Sequence, residues 1–145
     1  MRKLTTGNYT MGEVEIVVGF PPNYKEIKAA LNPNENTVFT YGNKIYTQRP
    51  LVLPADLIMH ENTHVTQQGK NPKGWWKKYI ADANFRLIQE VEAYHVQYET
   101  FCLAKKDRNV RARFILRLAQ DLSSSIYGNI VSHTDAVEFI KKGKI

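Results

Sequence analysis

Apolar and polar positions along this chain change period several times, and each change marks an element. Alternation leading into Val14-Glu15-Ile16-Val17-Val18 has the two-residue period and β-branched content of a strand over Glu13 to Val18, stopped by Gly19-Phe20-Pro21-Pro22. Beyond the prolines, Ile27, Ala30 and Leu31 recur at helical spacing, and Asn32-Pro33-Asn34 ends that short helix. Two β-rich runs, residues 37–40 and 44–47, flank Tyr41-Gly42-Asn43 and predict a hairpin. Pro54 suits a first helical turn and Asp56 favours a helix N-terminus, so a helix is expected from Pro54 to Gln68, with Gly69 as its stop.

The second half reads as helical. Asn71-Pro72-Lys73-Gly74 is expected as a loop before a short amphipathic helix carrying Trp75, Trp76, Tyr79 and Ile80. Asp82 can cap a longer helix from about Ala83 to Lys105, a stretch without Gly or Pro. Residues 107–122 put Val110, Phe114, Ile115, Leu118 and Leu122 on one side and arginines on others. Ser132 can cap a last helix ending near Gly143. Strands first and helices after give an α+β class, and 145 residues with 43% hydrophobic content suit one domain over residues 1–145.

The chemistry is concentrated in Leu57-Ile58-Met59-His60-Glu61-Asn62-Thr63-His64-Val65, an HExxH string in the middle of a predicted helix. Side chains four apart on a helix project from one face, so His60 and His64 can grip one ion. With only four histidines in the chain, such a string arises by accident about once in a hundred sequences or fewer. Zinc accepts neutral imidazoles and, with three protein ligands, keeps a position for water whose pKa falls to roughly 7. Glu61 then has the place of general base. A single cysteine, Cys102, excludes an internal disulfide and a thiolate-built zinc site, leaving His and carboxylate ligands.

A third ligand is expected from a facing helix, and the candidates are Glu90, Glu92, Glu99, His95 and Asp82. On a helical projection Glu92 falls on the stripe of Phe85, Ile88, Val96 and Leu103, where a carboxylate needs a partner. Glu90 projects to nearly the opposite side, beside Arg86 and Gln97, and reads as a solvated charge. Glu92 is therefore favoured, with Glu99 and His95 in reserve and His95 also a candidate to brace a ligand.

The hairpin, the string from Leu57 to Gln68 and the later Glu90-Val91-Glu92-Ala93-Tyr94 together resemble the small zincin metallopeptidases of the glutamate-ligand branch, the short bacterial and phage type. The match covers about residues 37–100, with a fainter echo over residues 122–140. The resemblance implies a zincin-like fold, Zn²⁺ held by His60, His64 and Glu92, Glu61 as general base, and a peptide substrate. It also implies that strand Lys44 to Thr47 holds an extended peptide by edge pairing. Two departures stand out: no acid is evident to brace a ligand histidine, and the transition-state donor falls to Tyr127 or His133.

The expected function is thus zinc-dependent peptide-bond hydrolysis, with a protein or peptide as partner. The alternative is a zincin-fold assembly protein without turnover, for example in a phage particle. Net charge +6 permits an acidic partner, but no nucleic-acid-binding motif accompanies Arg108, Arg111, Arg113 and Arg117, so nucleic acid is not expected. No apolar run approaches the ~18 residues of a membrane span, and Met1-Arg2-Lys3 opens no secretion signal. The expectation is an intracellular or virion-associated protein with no membrane contact.

Overall fold

A computed structural model describes the backbone of residues 2–6 and 9–145 and the side chains from residue 14 onward. Strands β1 (Arg2–Thr6), β2 (Tyr9–Val18), β3 (Phe39–Tyr41) and β4 (Lys44–Thr47) form a mixed sheet in the order β1-β2-β4-β3. Six helices accompany them: α1 (Tyr24–Leu31), α2 (Ala55–Gln68), α3 (Pro72–Ala81), α4 (Ala83–Ala104), α5 (Arg108–Leu122) and α6 (His133–Lys142). A 3₁₀ turn, Ser125–Tyr127, lies between the last two. The α+β class follows directly.

The sheet departs from expectation at β4. Glu15 through Val18 pair in parallel with Lys44 through Thr47, while Phe39 to Tyr41 pair with the other side of β4 in the expected hairpin. Parallel neighbours need a crossover, and α1 fills this one. Both edges of β4 are therefore occupied, so the expected docking of a peptide along Lys44–Thr47 is ruled out. The outer strands of the sheet are β1 and β3. A hairpin is visible locally in the sequence, whereas a pairing between segments about thirty residues apart leaves no local mark.

Helix boundaries follow their caps. The side chains of Asp82, Asp107 and Ser132 accept backbone hydrogen bonds at the starts of α4, α5 and α6. Helix α3 begins three residues before the expected start at Trp75. Asn71 caps it by accepting from the Gly74 amide, and Pro72 stands where its missing N–H is harmless. The tract that reads as a loop is thus the helix's own start signal. Gly69 ends α2 at φ 54°, and Gly143 ends α6 at φ 76°.

Two apolar clusters form the core. One joins α4, α5 and α6 through Leu87, Val91, Phe114, Leu118, Leu122 and Ile140. The other packs Trp75, Trp76 and Tyr79 of α3 against Ile27 of α1 and Phe39 of β3. Helix α2 packs along α4 and also touches β3, which sets its inward face among both helical and sheet residues. Among the described residues no helix is long and apolar enough to cross a membrane.

Helix α4 buries the side opposite to the expected one. Its inward residues are Arg86, Leu87, Glu90, Val91, Ala93, Tyr94, Gln97 and Thr100, whereas Ile88 and Leu103 of the expected stripe are 55% and 44% exposed. Apolar residues occur on both sides of this helix. The buried side is the one carrying polar groups, because Gln97 and Glu90 meet α2 and Arg86 meets the end of α3.

Candidate metal centre

His60 and His64 face inward from the middle of α2, with relative exposures of 4% and 5%. Glu90, 3% exposed, reaches them from α4. Its Oε1 lies 3.2 Å from His60 Nε2 and 3.3 Å from His64 Nε2. Two ligand atoms at zinc-like distances from one ion, in tetrahedral arrangement, stand about 3.3 Å apart. The spacing is thus that of two edges of one coordination polyhedron.

Hydrogen bonding behind the rings sets which atoms face the gap. His60 Nδ1 is 2.9 Å from Gln97 Oε1, and the amide nitrogen of Gln97 donates to Asp56 Oδ2 at 2.9 Å. A carboxylate only accepts, so Gln97 must turn its oxygen to His60, and His60 Nδ1 must donate. His64 repeats the arrangement: Nδ1 is 2.7 Å from Gln67 Oε1, and Gln67 Nε2 donates to the Gln89 carbonyl and to Glu92 Oε1. In the neutral state both Nε2 atoms therefore carry lone pairs aimed at a buried carboxylate oxygen that receives no hydrogen bond.

Three lone-pair atoms converging in a buried space repel unless a cation lies among them. His60, His64 and Glu90 can hold a metal ion, and their ligand atoms lie within 4.8 Å of one another. Without an ion, protons take its place. Burial would lower the His64 imidazole, yet the Glu90 carboxylate beside it pushes it up to about 9. Burial would raise Glu90, but His64 and His60 hold it well below the ordinary carboxylate range. Its other oxygen accepts from the Tyr79 hydroxyl at 2.5 Å, so the carboxylate is fixed on both sides.

Glu61, 5% exposed, stands beside the triad with Oε2 3.8 Å from His60 Nε2. Its Oε1 accepts from the Thr40 hydroxyl at 2.8 Å. Burial raises the Glu61 carboxyl above its ordinary value, against the pull of His60 and His64 and with the charge of Glu90 adding to the rise. The Tyr94 ring packs edge-on against His60, and Trp75 lies against His64. A groove opens over this floor between Pro33 and Val38 on one wall and Ile126 and Tyr127 on the other.

The structure brings His60, Glu61 and His64 together as the motif requires. It does not bring Glu92 to them: Glu92 is exposed and bonds Gln67, while Glu90 has the position facing both imidazoles. Reading Glu90 as a solvated charge is corrected by its burial. The signal that could have found it is the run Leu87, Val91 and Tyr94, a second apolar stripe on which Glu90 and Gln97 lie. Glu99 is exposed, Asp82 caps α4, and His95 bonds the Ile140 carbonyl at the end of α6. Tyr127 lines the groove and shares a 2.9 Å hydrogen bond with Tyr94, whereas the exposed His133 lies against the Leu116 carbonyl.

No family model matches this chain, and no curated protein or solved structure is significantly similar to it.

Proposed function

We propose that the chain is a zinc-dependent hydrolase of peptide bonds, with His60, His64 and Glu90 as the metal ligands and Glu61 as general base. Two imidazole nitrogens, each at tetrahedral spacing from one carboxylate oxygen, suit zinc, and no sulfur competes, since Cys102 lies outside the cluster. Among the described residues three protein groups converge and a groove reaches them; a purely structural zinc site is ordinarily closed by a fourth protein ligand. Bound zinc supplies Lewis acidity to the substrate carbonyl and lowers the pKa of a water molecule.

The remaining work falls to the chain's own groups. Glu61 takes a proton as the water oxygen bonds to the carbonyl carbon, then returns it to the amide nitrogen as the C–N bond breaks. Tyr127 faces the groove. If Tyr94 donates to it, the Tyr127 hydroxyl is free to donate to the carbonyl oxygen as negative charge develops there.

The observation carrying this reading is the Thr40 hydrogen bond, which aims an otherwise costly buried carboxylate at the edge of the triad. The test is Glu61→Gln beside wild type, with zinc measured by elemental analysis and cleavage by a fluorogenic peptide library. The expected result is about one equivalent of zinc in both and cleavage in wild type alone. Cleavage by the variant at the wild-type rate would overturn the role of Glu61. A zinc-loaded wild type that cleaves no peptide would overturn the hydrolytic reading.

A further inference from the structure

We infer that Gln97 and Gln67 are positioning residues forming two matched amide relays, each holding one ligand imidazole and each anchored on a carboxylate one side chain further out. The inference rests on the reading of His60, His64 and Glu90 as metal ligands. The chains of contact are His60 Nδ1 to Gln97 to Asp56, and His64 Nδ1 to Gln67 to Glu92. Each glutamine accepts from an imidazole with its oxygen and donates to a carboxylate with its nitrogen, so neither amide can rotate without breaking both bonds.

Geometry argues that this is more than filling of space. Gln97 is 6% exposed and joins two helices, α2 through His60 and Asp56 and α4 through its own backbone. Asp56 lies one helical turn before His60, so the relay returns to the helix it started from and fixes the ring against rotation about χ2. Gln67 lies three residues after His64 and does the same from the other side, reaching across to the Gln89 carbonyl and to Glu92. Partners of this kind set the tautomer of a metal-binding imidazole and tune its basicity.

An amide in this position differs from a carboxylate. It orients Nδ1–H without placing full negative charge against the ring, so the charge of Asp56 and Glu92 is kept one side chain away from the ion. Both imidazoles then bind as neutral donors, and the ion retains more of its electrophilic character than it would with carboxylates directly behind the rings. Glu92 thereby has a function at the site as the outer anchor of a relay.

The experiment measures zinc affinity by chelator competition for wild type, His60→Ala, Gln97→Leu, Gln97→Glu and the double variant Gln97→Glu/Asp56→Asn. His60→Ala tests the metal reading alone: zinc retained there overturns the ligand set. Gln97→Leu is expected to weaken zinc binding about 10- to 100-fold, as loss of such partners typically does. Gln97→Glu sets two carboxylates face to face and is expected to weaken it as well. The double variant restores the donor to acceptor order, with the amide now outermost and a carboxylate behind the ring, and is expected to recover at least wild-type affinity. A filling role would not be rescued by exchanging the polar groups between positions 97 and 56. If His60→Ala loses zinc while Gln97→Leu binds it within twofold of wild type, the relay is wrong and the ligand set stands. If Gln97→Leu does not fold, a double variant no better than Gln97→Glu overturns the relay by itself.

Discussion

The Thr40 hydroxyl, on the outer strand β3, donates to Glu61 Oε1 across 2.8 Å while Thr40's own carbonyl accepts from Gln68 and Trp76. The residue is thus held by its backbone and aims by its side chain. Glu61 has two oxygens, and fixing one leaves the other directed toward the His60 side of the triad. Thr40→Val keeps the shape and deletes the donor. Leaving a buried carboxylate oxygen unsatisfied costs about 1–3 kcal/mol, so the variant should be less stable by that order. Zinc content should stay at the wild-type level, and peptide cleavage should fall by about 10- to 100-fold through misorientation of the base. Urea denaturation and cleavage assays check the two halves; unchanged cleavage would show that Glu61 is aimed by something else.

Glu90 and Glu92 separate the ligand assignment cleanly, because they are two residues apart on one helix and point to different surroundings. Glu90→Gln removes the charge that faces both Nε2 atoms, and zinc should be lost or bound at least 100-fold more weakly, of the order expected for a first ligand. Glu92→Gln leaves the triad intact and touches only the outer end of the Gln67 contact, so zinc should remain near one equivalent. Elemental analysis after gel filtration checks both. Zinc kept by Glu90→Gln and lost by Glu92→Gln would reverse the assignment.

The contrast between these two glutamates also shows how far the sequence could be read. HExxH fixes a helical period and a residue order, so His60, Glu61 and His64 could be placed by local geometry alone. Capping residues act within three or four positions of themselves, which is why Asp82 and Ser132 mark helix starts correctly. The inward side of α4 is a different matter. Phe85, Ile88, Val96 and Leu103 form as good an apolar stripe as Leu87, Val91 and Tyr94, and only the packing of α2, α5 and α6 on α4 decides between them. A search for an apolar stripe is biased against a side whose polar groups are satisfied by partners elsewhere in the chain, and Gln97, Arg86 and Glu90 are such groups. The parallel pairing of β2 with β4 escaped for the same reason of distance.

Removing the metal should make stability depend on pH in a defined way. In the ion-free protein His64 is raised from 6.5 to about 9, so its contribution is fully present below 6.5 and is lost as pH rises through about 9. Glu90 is lowered from 4.5, so its contribution is present above 4.5 and is lost as pH falls through its depressed folded value. The pair therefore stabilises the ion-free chain most between pH 4.5 and 6.5. Melting temperature measured in chelator should decline from pH 6.5 to 9, and added zinc should remove that decline, since ligand imidazoles are neutral when an ion is bound. A melting temperature in chelator that is flat from pH 6.5 to 9 would refute the ion-free His64 to Glu90 pairing.

Arg86 ties the second wall of the groove to the aromatic cluster. Only 6% exposed, it donates through Nε to the Tyr79 carbonyl at 2.9 Å, through one terminal nitrogen to the Ile80 carbonyl at 3.0 Å, and through the other toward the Tyr127 carbonyl at 3.4 Å. Its guanidinium also lies over the Tyr79 ring, 5.6 Å from the centroid. Tyr79 and Ile80 are in the last turn of α3, whose carbonyls have no intrahelical partner, and the fork shape of the guanidinium serves both at once. The third contact fixes the 3₁₀ turn from which Tyr127 faces the groove. Arg86→Met retains the stem and deletes all three donors, leaving carbonyls unsatisfied in a buried setting, and should destabilise the fold by about 2–5 kcal/mol. Arg86→Lys supplies one point charge in place of a fork and should recover only part of that loss. Both variants should keep zinc, because neither touches a ligand, yet both should cleave peptides more slowly as Tyr127 loses its anchor. Chemical denaturation separates stability from cleavage, and an Arg86→Met protein within about 0.5 kcal/mol of wild type would mean that solvent, not Arg86, satisfies these carbonyls.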